Sequence, residues 1–198
     1  ILDDEADTTL SAYYLNLTTA VDIGATDDIT GIRPGFLDID ATNLVDGGIT
    51  LTGVTDSDFY LNFLNGDFRS SYLKSPDGVA PNDSTDSINS LTIGVSGGND
   101  IIINSDIFQT DTNGFLGGIY YDLNLLSTGG LTITNPLVSN SDLIQLATAG
   151  DLLFAGDSVT FNNDGGTLTL WADFDQDGSG KLTSGGRVTL NNVDNLIL

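Results

Sequence analysis

The feature that most restricts the fold is a three-residue unit, apolar–polar–apolar, that returns along nearly the whole chain. It stands at 15-LNL-17, 37-LDI-39, 49-ITL-51, 91-LTI-93, 123-LNL-125, 131-LTI-133, 159-VTF-161, 168-LTL-170 and 188-VTL-190. Continuous apolar runs at 101-III-103, 152-LLF-154 and 196-LIL-198 are related to it. Alternate side chains of an extended strand point to opposite faces. The outer pair of each unit therefore enters a core, and the central Thr, Asn or Asp faces outward. Helical periodicity is almost absent.

Between the units lie 47-GG-48, 97-GGND-100, 129-GG-130, 162-NNDGG-166 and 185-GG-186. Gly and Asn there supply positive φ, and Asp supplies side-chain-to-backbone bonds, so these stretches are predicted to be turns. Of the 28 acidic residues only Glu5 is Glu. Glu propagates helices and Asp does not, whereas Asp closes turns and ligates hard cations. Three units span a turn of roughly 20–30 residues, the repeat length of solenoids. The expected fold is all-β, a parallel β-helix forming one domain over residues 1–198. Short strands at this spacing also suit a β-sandwich, so a sandwich with strand exchange between subunits is the alternative. Two stretches interrupt the pattern. Residues 57–73 are aromatic-rich, and 74–87 hold two of the four prolines, which predicts a loop insertion. A second excursion is expected over 107–123.

The run 130-GLTITNPLVSNSDLIQLATAGDLLFAGDSVTFNNDGGTLTLWADFDQDGSGKLTSGGRVTL-190 resembles the repeat regions of long bacterial surface proteins of the filamentous-haemagglutinin type. The early part, 2-LDDEADTTLSAYYLNLTTAVDIGATDDI-29, is similar to a unit of the same kind of protein. The likeness is one of pattern and composition. It implies a right-handed parallel β-helix in an extracellular stalk, adhesin or filament, and it brings no catalytic residues with it.

The formal net charge is −23, with Arg33, Arg69, Lys74, Lys181 and Arg187 the only basic residues. Phosphate binding needs clustered Lys and Arg, so nucleic acid and anionic membrane surfaces are excluded as partners. Cys, Met and His are all absent. That removes zinc, haem, iron–sulfur and Cys/His nucleophile chemistry, and it suits an extracellular setting in which free thiols oxidise. No apolar run approaches a membrane span, so no membrane insertion is expected. The chain opens on Ile1 rather than Met, which reads as a processed product or an excised segment. Sequons at Asn16 and Asn82 are short enough to arise by chance.

Candidate chemistry centres on 171-WADFDQDGSGKL-182. Asp173, Asp175, Asp177 and Gly178 fit positions 1, 3, 5 and 6 of a calcium loop. Gly180 replaces the usual apolar residue, Ser184 stands where a bidentate Glu belongs, and the flanks have strand patterns. A helical calcium sensor is therefore not expected. The two readings left are a calcium-stapled turn and an Asp/Gly turn open to solvent. The stretch 97-GGND-100 is similar to a calcium nonapeptide but lacks partner copies, so a strand-entry turn is expected. Asp3/Asp4, Asp27/Asp28 and Asp38/Asp40 are carboxylate pairs in a chain where Asp is common, and no catalysis is expected of them. The outward Thr50, Thr92, Thr132, Thr160, Thr169 and Thr189 would suit an ice-binding rank only if they stacked at regular spacing.

Both chain ends are apolar, Ile1-Leu2 and 193-VDNLIL-198. A solenoid end without a polar cap exposes its core and unpaired strand edges. Such ends suit end-to-end stacking, a strand donated to a neighbour, or a segment of a longer chain with adjoining repeats. The expected function is an extracellular structural building block of a cell-surface filament or adhesin stalk. The alternative is a carbohydrate-binding module for which 57-SDFYLNF-63 and Tyr120/Tyr121 offer aromatic platforms for glycans, although core packing is the expected fate of most of these aromatics.

Overall fold

A computed structural model describes residues 9–19, 22–24, 35–52, 57–74, 88–105, 119–134, 137–138 and 143–198. Strands dominate them, and helix is confined to two single 3₁₀ turns, Ala41–Asn43 and Ser70–Tyr72. With strands numbered in chain order, the largest sheet is ordered β1 (Thr9–Ser11), β3 (Leu37–Asp40), β5 (Ser57–Leu64), β8 (Ile88–Val95), β10 (Ile119–Ser127), β13 (Leu143–Thr148), β15 (Ser158–Ala172) and β12 (Leu137–Val138). Its ninth strand, β17 (Arg187–Ile197), also pairs with β15. A five-stranded sheet is ordered β16 (Leu182–Ser184), β14 (Leu152–Phe154), β11 (Leu131–Ile133), β9 (Ile101–Ile103) and β6 (Phe68–Arg69). A three-stranded sheet is ordered β2 (Leu15–Thr18), β4 (Ile49–Thr52) and β7 (Leu73–Lys74).

Every ladder among the described residues is parallel. Partners lie from 21 residues apart (Leu123 opposite Ile144) to 34 apart (Leu15 opposite Ile49). A parallel pair needs a crossover of a dozen residues or more, and here each crossover is spent on strands of the other sheets. Register places like on like. Phe59, Leu91, Leu123, Ile144 and Leu168 stand opposite one another in turn, and so do Leu61, Ile93, Leu125, Leu146 and Leu170. The five-stranded sheet adds Phe68, Ile101, Leu131 and Leu152. All of these side chains are buried in one continuous core. Each contributes about 1.5–3 kcal/mol by leaving water.

The expected all-β class is met, and most triplets form strands. Two local expectations are corrected. The aromatic stretch at 57–64 does not interrupt the sheet; it is β5, with Phe59, Leu61 and Phe63 fully buried. The turn expected at 162–166 is the middle of β15. The ladder with β17 shifts register there, between Asn162 and Gly166 and again between Gly166 and Thr167, while the strand itself runs on. Its first half pairs with β12 and its second half with β13. The insertion expected at 74–87 lies, but for Lys74, outside the described residues, as does the excursion from 107 as far as 118.

At the far edge of the stack the core positions open. Leu182, Leu190 and Leu196 stand opposite Leu152, Phe161 and Leu168, which are fully buried, yet are themselves 44%, 40% and 45% exposed. Ile197 and Leu198 are exposed beside them.

Candidate functional site

The turn from β15 to β16 carries Asp173, Asp175 and Asp177. Its entry is anchored on the preceding rung, where Phe174 N–H donates to Thr148 C=O at 3.1 Å. Asp173 (φ 61°) and Gln176 (φ 59°) adopt left-handed conformations, and Gly178 (φ 85°) does so without steric cost. Gln176 N–H closes on Asp173 C=O at 3.0 Å. Gly178 N–H then donates to both carboxylate oxygens of Asp173, at 3.0 and 3.1 Å. Ser179 N–H donates to Asp177 Oδ1 at 2.8 Å. Hydrogen bonds from the Ser179 side chain and backbone hold the Asp177 carboxyl below the usual aspartate value. Gly180 lets the loop close. A Cβ there would lie 2.5 Å from Asp173 N and Gly150 O and 2.8 Å from Ala149 O, all of them backbone atoms.

The result is a convergence. One carboxylate oxygen from each of the three aspartates lies within 4.8 Å of the others, with Asp173 half-buried and the other two exposed. Like charges gathered at such distances repel one another. Hard cations such as calcium take oxygen ligands and relieve that repulsion. The three predicted ligands are therefore brought together. Ser184 is engaged elsewhere: it lies on β16 and its hydroxyl donates to Gly186 C=O at 2.8 Å.

Other acidic residues have a role that sequence reasoning missed. Asp67, Asp100, Gly130, Asp151 and Lys181 each precede a strand of the five-stranded sheet, one per rung. Asp67 Oδ1 accepts the N–H of Asp100 at 3.0 Å, Asp100 Oδ1 that of Gly130 at 2.6 Å, and Asp151 Oδ1 that of Lys181 at 3.0 Å. A short carboxylate reaches the next rung's backbone from its own turn, which accounts for Asp in preference to Glu at these places. The signal was available as Asp directly before Phe68, Ile101 and Leu152, but only register shows that the three align. The 97-GGND-100 stretch is thus a strand-entry turn, with Asn99 Nδ2 donating to Ser96 C=O at 2.7 Å.

The remaining candidates separate. Asp38 accepts from Asn62 Nδ2 at 2.7 Å, and Asp40 caps a 3₁₀ turn through Thr42 N–H and hydroxyl at 3.0 and 2.6 Å. Asp3, Asp4, Asp27 and Asp28 lie outside the described residues. Phe59 and Phe63 belong to the core, and the half-buried Tyr60 packs edge-on against Phe36 at 5.9 Å. The side chains of Tyr120 and Tyr121 are outside the description. Among the described residues, the exposed aromatics are Tyr13, Tyr14 and Trp171. The threonines do not form one rank. Thr50 and Thr132 lie in different sheets, Thr92 and Thr169 are separated by Asn124 and Gln145, and Thr160 is paired with Thr189 among the described residues. No helix among the described residues is long and apolar enough to cross a membrane. No protein-family model, curated protein or solved structure matches the chain.

Proposed function

We propose that the chain is an extracellular structural protein whose parallel ladders wind as a β-helix, and that it serves as a building block of a cell-surface filament or adhesin stalk. The observation that carries this reading is the exposure step between Leu168 and Leu196, fully buried and 45% exposed at the same register position. A face of that kind is completed by one more rung in register, supplied by a second copy or by adjoining repeats of a longer chain. The absence of Cys and the likeness to filamentous-haemagglutinin repeats support the extracellular setting. Deleting residues 193–198 tests the joint. Light scattering of the intact chain should show association that strengthens as salt screens the −23 charge, and the truncated chain should stay monomeric. Equal association of both would place the joint elsewhere.

We further propose that Asp173, Asp175 and Asp177 hold calcium and thereby staple the last turn. Support comes from the convergence of the three carboxylates within 4.8 Å on a loop whose backbone already points them together. Trp171 stands two residues before Asp173, so terbium bound at the loop should emit on indole excitation. Calcium should quench that emission by displacement, and Asp175→Asn should remove most of it. Emission indifferent to the substitution would contradict the assignment.

A further inference from the structure

Beyond that structural role, we propose that Asn65 is a site of spontaneous modification, at which deamidation through Gly66 turns a link between adjacent rungs into a repulsion. Asn65-Gly66 lies in the turn from β5 to β6, with Asn65 exposed and in a left-handed conformation (φ 60°). The reaction needs only water. Gly66 N attacks the side-chain carbonyl carbon of Asn65, so that an N–Cγ bond forms and the Cγ–Nδ2 bond breaks. The side-chain nitrogen leaves as ammonia, taking the proton from Gly66 N. Water then opens the five-membered imide at either carbonyl, which leaves aspartate or isoaspartate.

Such attack requires a backbone nitrogen that is unhindered and not engaged in a hydrogen bond. Gly66 brings no Cβ to the attacking residue, and among the described residues no partner takes its N–H. Three comparable junctions differ. Ser105 N–H, which follows Asn104, donates to Ser70 Oγ at 3.0 Å. Gly47 N–H, which follows Asp46, donates to Ser71 C=O at 2.8 Å. Gly178 N–H, which follows Asp177, donates to the Asp173 carboxylate.

The consequence depends on what Asn65 touches. Leu64 stands opposite Asp40 on β3, and a Cβ on Gly66 would lie 3.3 Å from the Ala41 Cβ, so the two turns are stacked closely. Asp40 caps the first 3₁₀ turn through Thr42, and the Asn65 side chain bonds to the same carboxylate. Hydrogen bonds from Thr42 first, and then from Asn65 and Ser11, hold the Asp40 carboxyl below the usual aspartate value, which keeps it ionised at neutral pH. Deamidation replaces the donor by an acceptor-only carboxylate, and the two charges repel. Isoaspartate also adds a methylene to the backbone of the turn.

The intact folded chain would be held warm at mildly alkaline pH for several days and mapped by mass spectrometry, with aspartate and isoaspartate separated chromatographically. Asn65 should convert well ahead of Asn104. Gly66→Ala should slow the conversion on the order of tenfold, the ratio that about 1.4 kcal/mol of added barrier produces. Asn65→Gln, which keeps an amide but disfavours the five-membered ring, should leave position 65 unconverted in a chain of unchanged far-ultraviolet spectrum. Asn65→Asp, the product made directly, should speed hydrogen exchange at the Thr42 amide several-fold and leave β8 unchanged, and adding Asp40→Asn should reverse part of that gain. Four results would overturn the proposal: Asn65 converting no faster than Asn104, conversion only after unfolding in urea, conversion unaffected by Gly66→Ala, or a Thr42 amide indifferent to Asn65→Asp.

Discussion

Leu168 and Leu196 occupy the same register position on adjacent strands, and so do Phe161 and Leu190, and Leu152 and Leu182. The first of each pair is buried and the second is two-fifths exposed or more. Neither hydrophobicity nor the face of the strand differs between them; what differs is whether another strand lies over them. Burial at these positions therefore depends on a neighbouring strand on each side.

The sharpest way to break this comparison is to truncate the same residue type in both regions. Leu125→Ala, at a fully buried position, should cost about 2–5 kcal/mol by loss of transfer energy and creation of a cavity. Leu196→Ala in the unassociated chain should cost at most about 1 kcal/mol. Urea denaturation measures both, and equal losses would mean that the last rung is covered in solution. A smaller effect sharpens the account of how rungs are joined. Asp100→Ala removes the acceptor for Gly130 N–H and should cost about 1–3 kcal/mol, whereas Asp157→Ala, an exposed carboxylate outside that column, should be nearly neutral. The smallest effect lies in the acidic loop. Folding lowers the Asp177 pKa, so its contribution is complete above the ordinary aspartate range near pH 4 and fades as pH falls through the lower folded value. The Ser179 amide resonance should therefore hold steady from pH 7 to about pH 4 and move only below it. Movement centred above pH 5 would contradict the hydrogen bonding drawn for Asp177.

Much of this was legible in the residues, because apolar–polar–apolar triplets have only one economical use, as strands with one face buried. Asp173, Asp175 and Asp177 could be picked out because ligand spacing within one loop is a local property. What escaped notice was non-local. The Asp67–Asp100–Asp151 column depends on which rung follows which, and that offset varies between rungs. Residues 162–166 carry every sign of a turn, yet they lie within one continuous strand whose ladder to β17 shifts register around Gly166. The aromatics of β5 were legible too, because period-two alternation sends Phe59 and Phe63 inward with Leu61.

The central claim, that the uncovered last rung is the joint, is tested most directly by amide hydrogen exchange on the chain in its dilute and associated forms. Exchange reports local opening and pairing strand by strand. Residues 187–197 of β17 should exchange markedly more slowly once associated, while β8, already paired on both sides by β5 and β10, should not change. Association that leaves β17 exchange as fast as in the dilute chain would contradict the claim.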